Sequence, residues 1–149
     1  MKIRVHVPSQ TLDLFDDSGE IIRTYAISTS RYGLGSEPGS NKTPAGCFRI
    51  AEKIGDGAEP GEIFISRERT GKFGQEGDEK DHVQTRILWL DGLEPENANT
   101  KERYVYIHGT NAESQLGTPV SHGCVRMNNL DVIDLYDRVP VGSSVEILA

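Results

Sequence analysis

The chain has 149 residues, which predicts one domain spanning 1–149 that buries roughly two thirds of its unfolded surface. Hydrophobic residues make up 36% and charged residues 26%, a balance typical of a folded water-soluble domain rather than of a disordered or membrane-spanning chain. The net charge of −7 argues against a nucleic-acid partner, because contact with a phosphate backbone requires a basic surface.

The N-terminal residues do not look like a targeting segment. Apolar Ile3, Val5 and Val7 alternate with polar residues as in a strand. No apolar run is long enough to form a signal core or to span a bilayer. We therefore expect a cytosolic protein with no membrane span. An export signal lost ahead of Met1 would instead indicate the periplasm.

Eight runs of alternating or continuous apolar residues predict a mainly β protein. The predicted strands are 3–7, 11–15, 20–28, 47–51, 62–66, 85–90, 104–108 and 144–148. The first three are separated by short turns and indicate an antiparallel meander. The runs 85–90 and 104–108 are the most apolar and are expected near the centre of the sheet.

One short helix is predicted near the C-terminus. Asn128 or Asn129 is a suitable N-cap, and Pro140 prevents the helix from continuing past Arg138. The apolar spacing predicts that Leu130, Ile133 and Tyr136 face the core.

The segment 67–82 is rich in charge and glycine and is predicted to be a loop. A loop of this length in a small domain often covers a binding site, so we interpret it as a lid in preference to a plain solvated loop. His82 lies on this loop without supporting neighbours and is expected to be exposed.

The two cysteines, Cys47 and Cys124, are too few for a disulfide framework. Cys47 lies in an apolar run with no histidine nearby and is predicted to be a buried structural thiol. A bridge between the two is not expected, because it would consume the best nucleophile in the chain. The sequence has no Cys-x-x-Cys and no close His-x-x-x-His pair, so we expect no metal and no cofactor.

Cys124 is the candidate nucleophile. A thiol becomes reactive when a histidine takes its proton and holds it as an imidazolium ion pair, and His108 ends a predicted strand upstream. The N–H groups of Gly123 and Cys124 are candidates for an oxyanion hole, and Arg126 for binding a substrate carboxylate. These residue types alone indicate a cysteine acyl-transfer enzyme, with a zinc site formed with His122 as the less favoured alternative.

The stretch 121–127, Ser-His-Gly-Cys-Val-Arg-Met, follows His108-Gly109 and resembles the signature of the L,D-transpeptidase catalytic-domain family. The resemblance extends over nearly the whole chain. It includes the segments 10–12, 28–30, 43–48 (Thr-Pro-Ala-Gly-Cys-Phe) and 139–143.

The resemblance implies a sandwich-like β fold with one short helix after the cysteine motif. It also implies that Cys124 is the nucleophile, that His108 is its base, and that the Gly109 carbonyl orients His108. The remaining motif residues are implied to shape the oxyanion region and to bind substrate; they are Ser121, His122, Gly123 and Arg126.

The implied substrates are peptidoglycan stem peptides or soluble muropeptides, cleaved between a diamino acid and D-alanine through a thioester. Family members that form cross-links work outside the inner membrane. Since no export signal is visible here, we expect water to be the acyl acceptor, giving an L,D-carboxypeptidase of cytosolic murein recycling. The alternatives are a cross-linking transpeptidase in the periplasm or wall and, from another class, a non-catalytic binder of wall fragments.

Overall fold

The computed structural model describes all 149 residues. Ten strands, one α-helix and two short 3-10 helices make up the regular structure. The strands are β1 Lys2–His6, β2 Thr11–Phe15, β3 Ile21–Ser28, β4 Gly46–Ile54, β5 Glu62–Ile65, β6 Glu68–Phe73, β7 Val83–Gly92, β8 Tyr106–Gly109, β9 Val125–Met127 and β10 Ser144–Leu148. The α-helix α1 is Asn129–Arg138, and the 3-10 helices are Pro95–Asn97 and Glu113–Gln115.

The predicted meander is confirmed. β1 pairs antiparallel with β2, and β2 with β3. Along β1 and β2 every second side chain is fully buried, as the alternating sequence requires; these are Ile3, Val5, Leu12 and Leu14. β10 adds to the other side of β1 in parallel.

The sheet closes on itself through β4, which pairs with β10 on one side and with β7 on the other. Eight strands thereby form a flattened ring, and the β5–β6 hairpin extends from β7. The buried apolar cluster fills the space between the two halves of the ring. The mainly β, sandwich-like fold with one short helix is confirmed, with the two layers belonging to one continuous sheet.

β7 lies at the centre, as predicted, and pairs with β4, β5 and β8. It contains a bulge between Gln84 and Ile87 where it faces β8. Thr85 in this bulge has φ +77°, a conformation that a β-branched residue adopts only under strain. The bulge lies beside the candidate base, and its role is described below.

Helix α1 begins after Asn128, whose side chain accepts hydrogen bonds from the N–H groups of Leu130 and Asp131. The predicted buried face is partly wrong. Val132, Leu135 and Tyr136 are buried, whereas Leu130 is 67% exposed and Ile133 only half-buried. At about 100° per residue, Leu130 lies almost opposite Val132, so the side that contacts β7 and β8 excludes it.

Two other predictions are corrected. Cys47 is exposed, not buried, because Phe48 and Ile50 occupy the inward positions of β4 and alternation sends Cys47 outward. The segment 67–82 is not wholly a loop, since β6 occupies its first half and pairs with β5. No helix of the protein is long and apolar enough to cross a membrane.

The corrected helix face gives a matched test of stability. Leu135→Ala should lower the free energy of unfolding by about 2–5 kcal/mol, because it leaves a cavity at a fully buried position. Leu130→Ala should change it by less than about 0.5 kcal/mol. Urea denaturation followed by circular dichroism measures both, and equal losses would contradict the observed helix orientation.

Candidate active site

The candidate base and nucleophile lie on neighbouring parallel strands. In the β8–β9 pairing Ile107 faces Val125, and His108 faces Arg126. Ile107 and Val125 belong to the core cluster, so the alternate side chains of both strands project to the opposite face. Cys124 directly precedes β9 and shares that face with His108, and its Sγ lies at the backbone of Tyr106. The structure thus places the two predicted groups on the same face of adjacent strands, with Cys124 level with Tyr106.

His108 is almost fully buried, with only 2% of its surface exposed, and its ring is held in one tautomer. Its Nδ1 is 2.6 Å from the carbonyl oxygen of Gly109. A carbonyl can only accept a hydrogen bond, so Nδ1 carries the hydrogen and the neutral ring has its lone pair on Nε2. Burial lowers the pKa of His108, and the Gly109 carbonyl partly opposes this. The ring at rest is therefore a neutral base.

The carbonyl that orients His108 is itself fixed by tight packing. A Cβ at Gly109 would lie 2.5 Å from Asn129 Oδ1 and 2.7 Å from the Gln84 carbonyl oxygen, so only glycine fits. Asn129 donates to the Thr110 carbonyl at 2.9 Å and accepts from the Thr85 hydroxyl at 2.5 Å. The strained bulge of β7 and the start of α1 together hold the end of β8. Sequence reasoning missed this network, since no motif marks it.

Cys124 does not hydrogen-bond to His108 in this resting structure. Its Sγ accepts from the Tyr106 N–H at 3.3 Å and lies 3.5 Å from the Tyr104 carbonyl oxygen, toward which the thiol hydrogen points. Burial raises the pKa of Cys124 to about 11, although the Tyr106 N–H lowers it. Both shifts favour the neutral forms, so the resting protein holds a neutral thiol and a neutral imidazole rather than an ion pair.

The turn before the nucleophile is fixed by buried hydroxyl groups. Ser121 Oγ donates to the Cys124 carbonyl at 2.7 Å and accepts from the Gly123 N–H at 3.2 Å. Thr43 Oγ1 donates to the Gly123 carbonyl at 2.9 Å and accepts from the Ser30 N–H. Gly123 has φ +126°, which favours glycine. The segment 43–48 thus supports the motif directly.

Of the two N–H groups predicted to form an oxyanion hole, that of Gly123 donates to Ser121 Oγ. The Cys124 N–H has no hydrogen-bond partner in the protein and remains available. His122 projects from the turn and is close to half exposed.

Arg126 is already paired within the protein. Its guanidinium is almost fully buried and contacts the carboxylate of Asp81, and Nε has no partner. His122 Nδ1 is 3.5 Å from the same carboxylate. Asp81 thus occupies the position at which a substrate carboxylate was expected. Sequence reasoning missed Asp81, because nothing distinguishes it from the other acids of this charged segment.

Residues 74–82 form the second half of the predicted lid. This segment covers Arg126, because its Asp81 contacts the Arg126 guanidinium. It is tied down by Asn111, which donates to the Lys80 carbonyl at 3.0 Å and accepts from the His82 N–H at 3.0 Å. His82 is half-buried and lies 3.3 Å from the Asp78 carboxylate, so the expectation that it is exposed without neighbours is wrong.

Cavities lie on both sides of His122. One of about 290 Å³ is lined by His122, Gly123, Cys124, Arg103 and Tyr104 among others. The other, of about 220 Å³, is polar and includes Arg126 and Asp81. No group of three or more His, Cys, Asp or Glu side chains is arranged to hold a metal ion.

This arrangement agrees with comparison to known proteins. A model of the YkuD family, described as the L,D-transpeptidase catalytic domain, matches residues 1–147. The chain belongs to this L,D-transpeptidase family.

Two curated relatives are similar to this chain over a stretch of 41 to 46 residues. The chain is 50% identical over 46 residues to the probable L,D-transpeptidase YbiS of Escherichia coli, covering 31% of this chain and 15% of that protein. It is 54% identical over 41 residues to the putative L,D-transpeptidase YkuD of Bacillus subtilis, covering 28% of this chain and 25% of that protein. The alignments thus span a quarter or less of these relatives.

Solved structures share the fold over the whole chain. The L,D-transpeptidase from Mycobacterium smegmatis superposes with a TM-score of 0.65 at 19% identity, covering 99% of this chain and 58% of that one. An Enterococcus faecium L,D-transpeptidase superposes with a TM-score of 0.62 at 17% identity, covering 99% of this chain and 49% of that one. At these identities the likeness shows the fold.

The raised pKa of Cys124 can be measured by alkylation. In a Cys47→Ser protein, the rate constant for iodoacetamide should keep rising up to about pH 11, because only the thiolate reacts. An ordinary thiol levels off above its pKa of about 8.5. Mass spectrometry follows the labelling and circular dichroism confirms the fold at each pH. A plateau at the ordinary pKa would contradict the buried neutral thiol.

Asp81 can be tested through the same thiol. Its negative charge raises the pKa of Cys124, so Asp81→Asn should increase alkylation at pH 8 by roughly two- to ten-fold. Glu79→Gln is the matched control, because it removes the same charge from an exposed position of the segment. If both substitutions accelerate labelling equally, net charge rather than the position of Asp81 explains the effect.

Proposed function

We propose that this domain catalyses cysteine-dependent acyl transfer on peptidoglycan stem peptides, cleaving the bond between a diamino acid and D-alanine. The observation that carries the proposal is the fixed tautomer of His108. Its Nδ1 donates to the Gly109 carbonyl, and its unprotonated Nε2 has no partner in the protein, on the strand face that also carries Cys124. Membership of the family supports the substrate class.

In the acylation step, Nε2 of His108 takes the thiol proton as Sγ attacks the carbonyl of the scissile bond. The Cys124 N–H stabilises the developing oxyanion. His108 then returns its proton to the leaving amine, D-alanine departs, and a thioester to Cys124 remains. Deacylation repeats the sequence, with His108 taking a proton from the acceptor.

Proton transfer from Cys124 to His108 is uphill in the resting protein, since burial opposes both charged forms. Arg103 reduces this cost, because its charge lowers the pKa of Cys124. Arg126 lowers the pKa of both Cys124 and His108, so it favours the thiolate but opposes the imidazolium. A tight ion pair at rest is therefore not required; the thiolate forms as the substrate binds and water is displaced.

We propose water as the acyl acceptor, which makes the domain an L,D-carboxypeptidase acting on soluble stem peptides. The cavity of about 290 Å³ beside Cys124 supports this, because Asn41, Glu102 and Arg103 in its lining can hydrogen-bond a water molecule near the thioester. An amine of a second stem peptide is the alternative acceptor and would give a cross-link. Action in the cytosol, within murein recycling, stays a prediction.

A free tetrapeptide ending in D-alanine tests the acceptor. Incubation with and without an added amine acceptor, followed by mass spectrometry, should give tripeptide and D-alanine in both cases. Cross-linked product without free tripeptide would replace the carboxypeptidase proposal with transpeptidation.

Two substitutions test the mechanism. Cys124→Ala should abolish release of D-alanine, because no thioester can form. His108→Gln should lower kcat by about 10²- to 10⁴-fold, since an amide cannot accept the thiol proton. Circular dichroism and thermal melting serve as controls for folding. Continued release of D-alanine by Cys124→Ala would refute the whole mechanism, and stem-peptide binding without any turnover by the unmodified protein would indicate a wall-fragment binder.

A further inference from the structure

The turn of the β5–β6 hairpin is strained. Ile65 pairs with Glu68, so Ser66 and Arg67 form a two-residue turn, with φ of +49° and +66°. Turns of this type favour Asn-Gly, because positive φ is unfavourable for residues with a Cβ. Keeping Ser and Arg here is unfavourable for the backbone of both residues. A side chain retained at that cost points to a function for Arg67.

Arg67 is unlike every other arginine in the chain. Each of the other nine donates to a carboxylate or a backbone carbonyl. Arg67 donates only to the Tyr106 hydroxyl, at 3.2 Å, and has no ion pair. Its guanidinium lies 5.0 Å from the ring centre of Trp89 and 5.1 Å from that of Tyr104. The aromatic rings hold the cation in place and leave its Nε and Nη2 unpaired.

These groups surround a separate cavity of about 340 Å³. Its lining combines the polar Arg67 and Ser66 and the hydroxyl-bearing Tyr104 and Tyr106 with apolar side chains; the apolar lining residues are Phe64, Val83 and Ile87. Three of the six non-glycine residues with positive φ, namely Ser66, Arg67 and Tyr104, line this one cavity. Backbone strain concentrated around a cavity is typical of ligand sites.

The cavity adjoins the nucleophile. Tyr104 borders both it and the cavity beside Cys124. The Tyr106 N–H donates to Cys124 Sγ, and Cys124 packs against the apolar cluster that includes Phe64, Ile87 and Tyr106. A side chain of the residue acylating Cys124 can therefore enter this cavity from the thioester.

The residues that line the cavity indicate which chemical groups it can bind. An aliphatic chain fits the walls formed by Phe64, Val83 and Ile87. At its far end, the unpaired N–H groups of Arg67 match a carboxylate, which accepts two parallel hydrogen bonds from a guanidinium. A neutral amide can form only weaker bonds there.

We propose that this cavity binds the side chain of the diamino acid in the acyl donor and that Arg67 selects a diamino acid with a free carboxylate. The inference rests on the proposed function, in that it takes the stem peptide to be the substrate. It assigns Arg67 as a specificity-determining residue, held in place by the strained turn and by Trp89, Tyr104 and Tyr106.

Two tetrapeptides test this. They are identical except that the side chain of the diamino acid ends in a carboxylate in one and in a carboxamide in the other. Calorimetric binding to the Cys124→Ala protein should favour the carboxylate by about 10- to 100-fold. Adding Arg67→Gln should abolish the preference, whereas Lys72→Gln, which removes a charge from an exposed position of the same hairpin, should preserve it.

A second variant separates binding from folding. Ser66→Asn with Arg67→Gly gives the turn its favoured residues, so the protein should melt at the same or a higher temperature while losing the preference. A preference that survives Arg67→Gln, equal binding of both peptides to the Cys124→Ala protein, or binding of neither, would overturn the proposal.

Turnover by the protein that retains Cys124 distinguishes failure of the Arg67 site from failure of the proposed function. If both peptides are cleaved with equal kcat/KM, the proposed function stands and the Arg67 site falls. If neither is cleaved but the carboxylate peptide binds through Arg67, the site stands and the proposed function falls.

Discussion

The parallel pairing of β8 with β9 is the constraint on which the site depends. Its register sets His108 beside Arg126 and leaves Cys124 level with Tyr106, so base, nucleophile and guanidinium share one face. The opposite face of the same two strands contributes Ile107 and Val125 to the core. A slip of one residue would exchange the two faces, placing His108, Cys124 and Arg126 in the core and the apolar residues outside. Core packing therefore maintains the geometry of the candidate site.

Around this pair of strands, hydrogen bonds fix the orientation of His108 and of the turn that carries Cys124, and both side chains are neutral at rest. The Gly109 carbonyl fixes the histidine tautomer, and Ser121 and Thr43 fix the turn that carries the thiol. Burial favours the neutral forms of His108 and Cys124. The positive charges of Arg103 and Arg126 favour the thiolate of Cys124 in a protein whose net charge is −7, although Arg126 also opposes protonation of His108.

The sequence predicted the parts of the fold and the site that depend on local patterns. Alternation along the first three strands predicted the meander, and the Ser-His-Gly-Cys motif with its upstream histidine predicted two side chains that the fold brings to one face. It failed where the outcome depends on distant packing. Cys47 and Leu130 both have apolar neighbours in the sequence, yet both are exposed because other residues take the inward positions.

The contacts of Arg126 could not be predicted from the sequence for the same reason. Asp81 lies 45 residues away in the chain, in a segment with several equivalent acids, and only the folded loop selects it. The sequence could have placed Tyr106 near the site, because alternation along the strand puts it on the same face as His108. Its backbone contact to Cys124, however, does not depend on residue type. The commitment of the Gly123 N–H to Ser121 likewise depends on the conformation of one turn.

The closure of the sheet also constrains how the chain acquires its structure. β1 and β10 lie side by side although their contacting residues, such as Arg4 and Glu146, are 142 positions apart. The ring cannot close during synthesis until the last strand has left the ribosome, and contacts of such long range form slowly because the intervening chain must be ordered first. β10 lies between β4 and β1, so until it is added both of these strands have an unpaired edge that could pair with another chain.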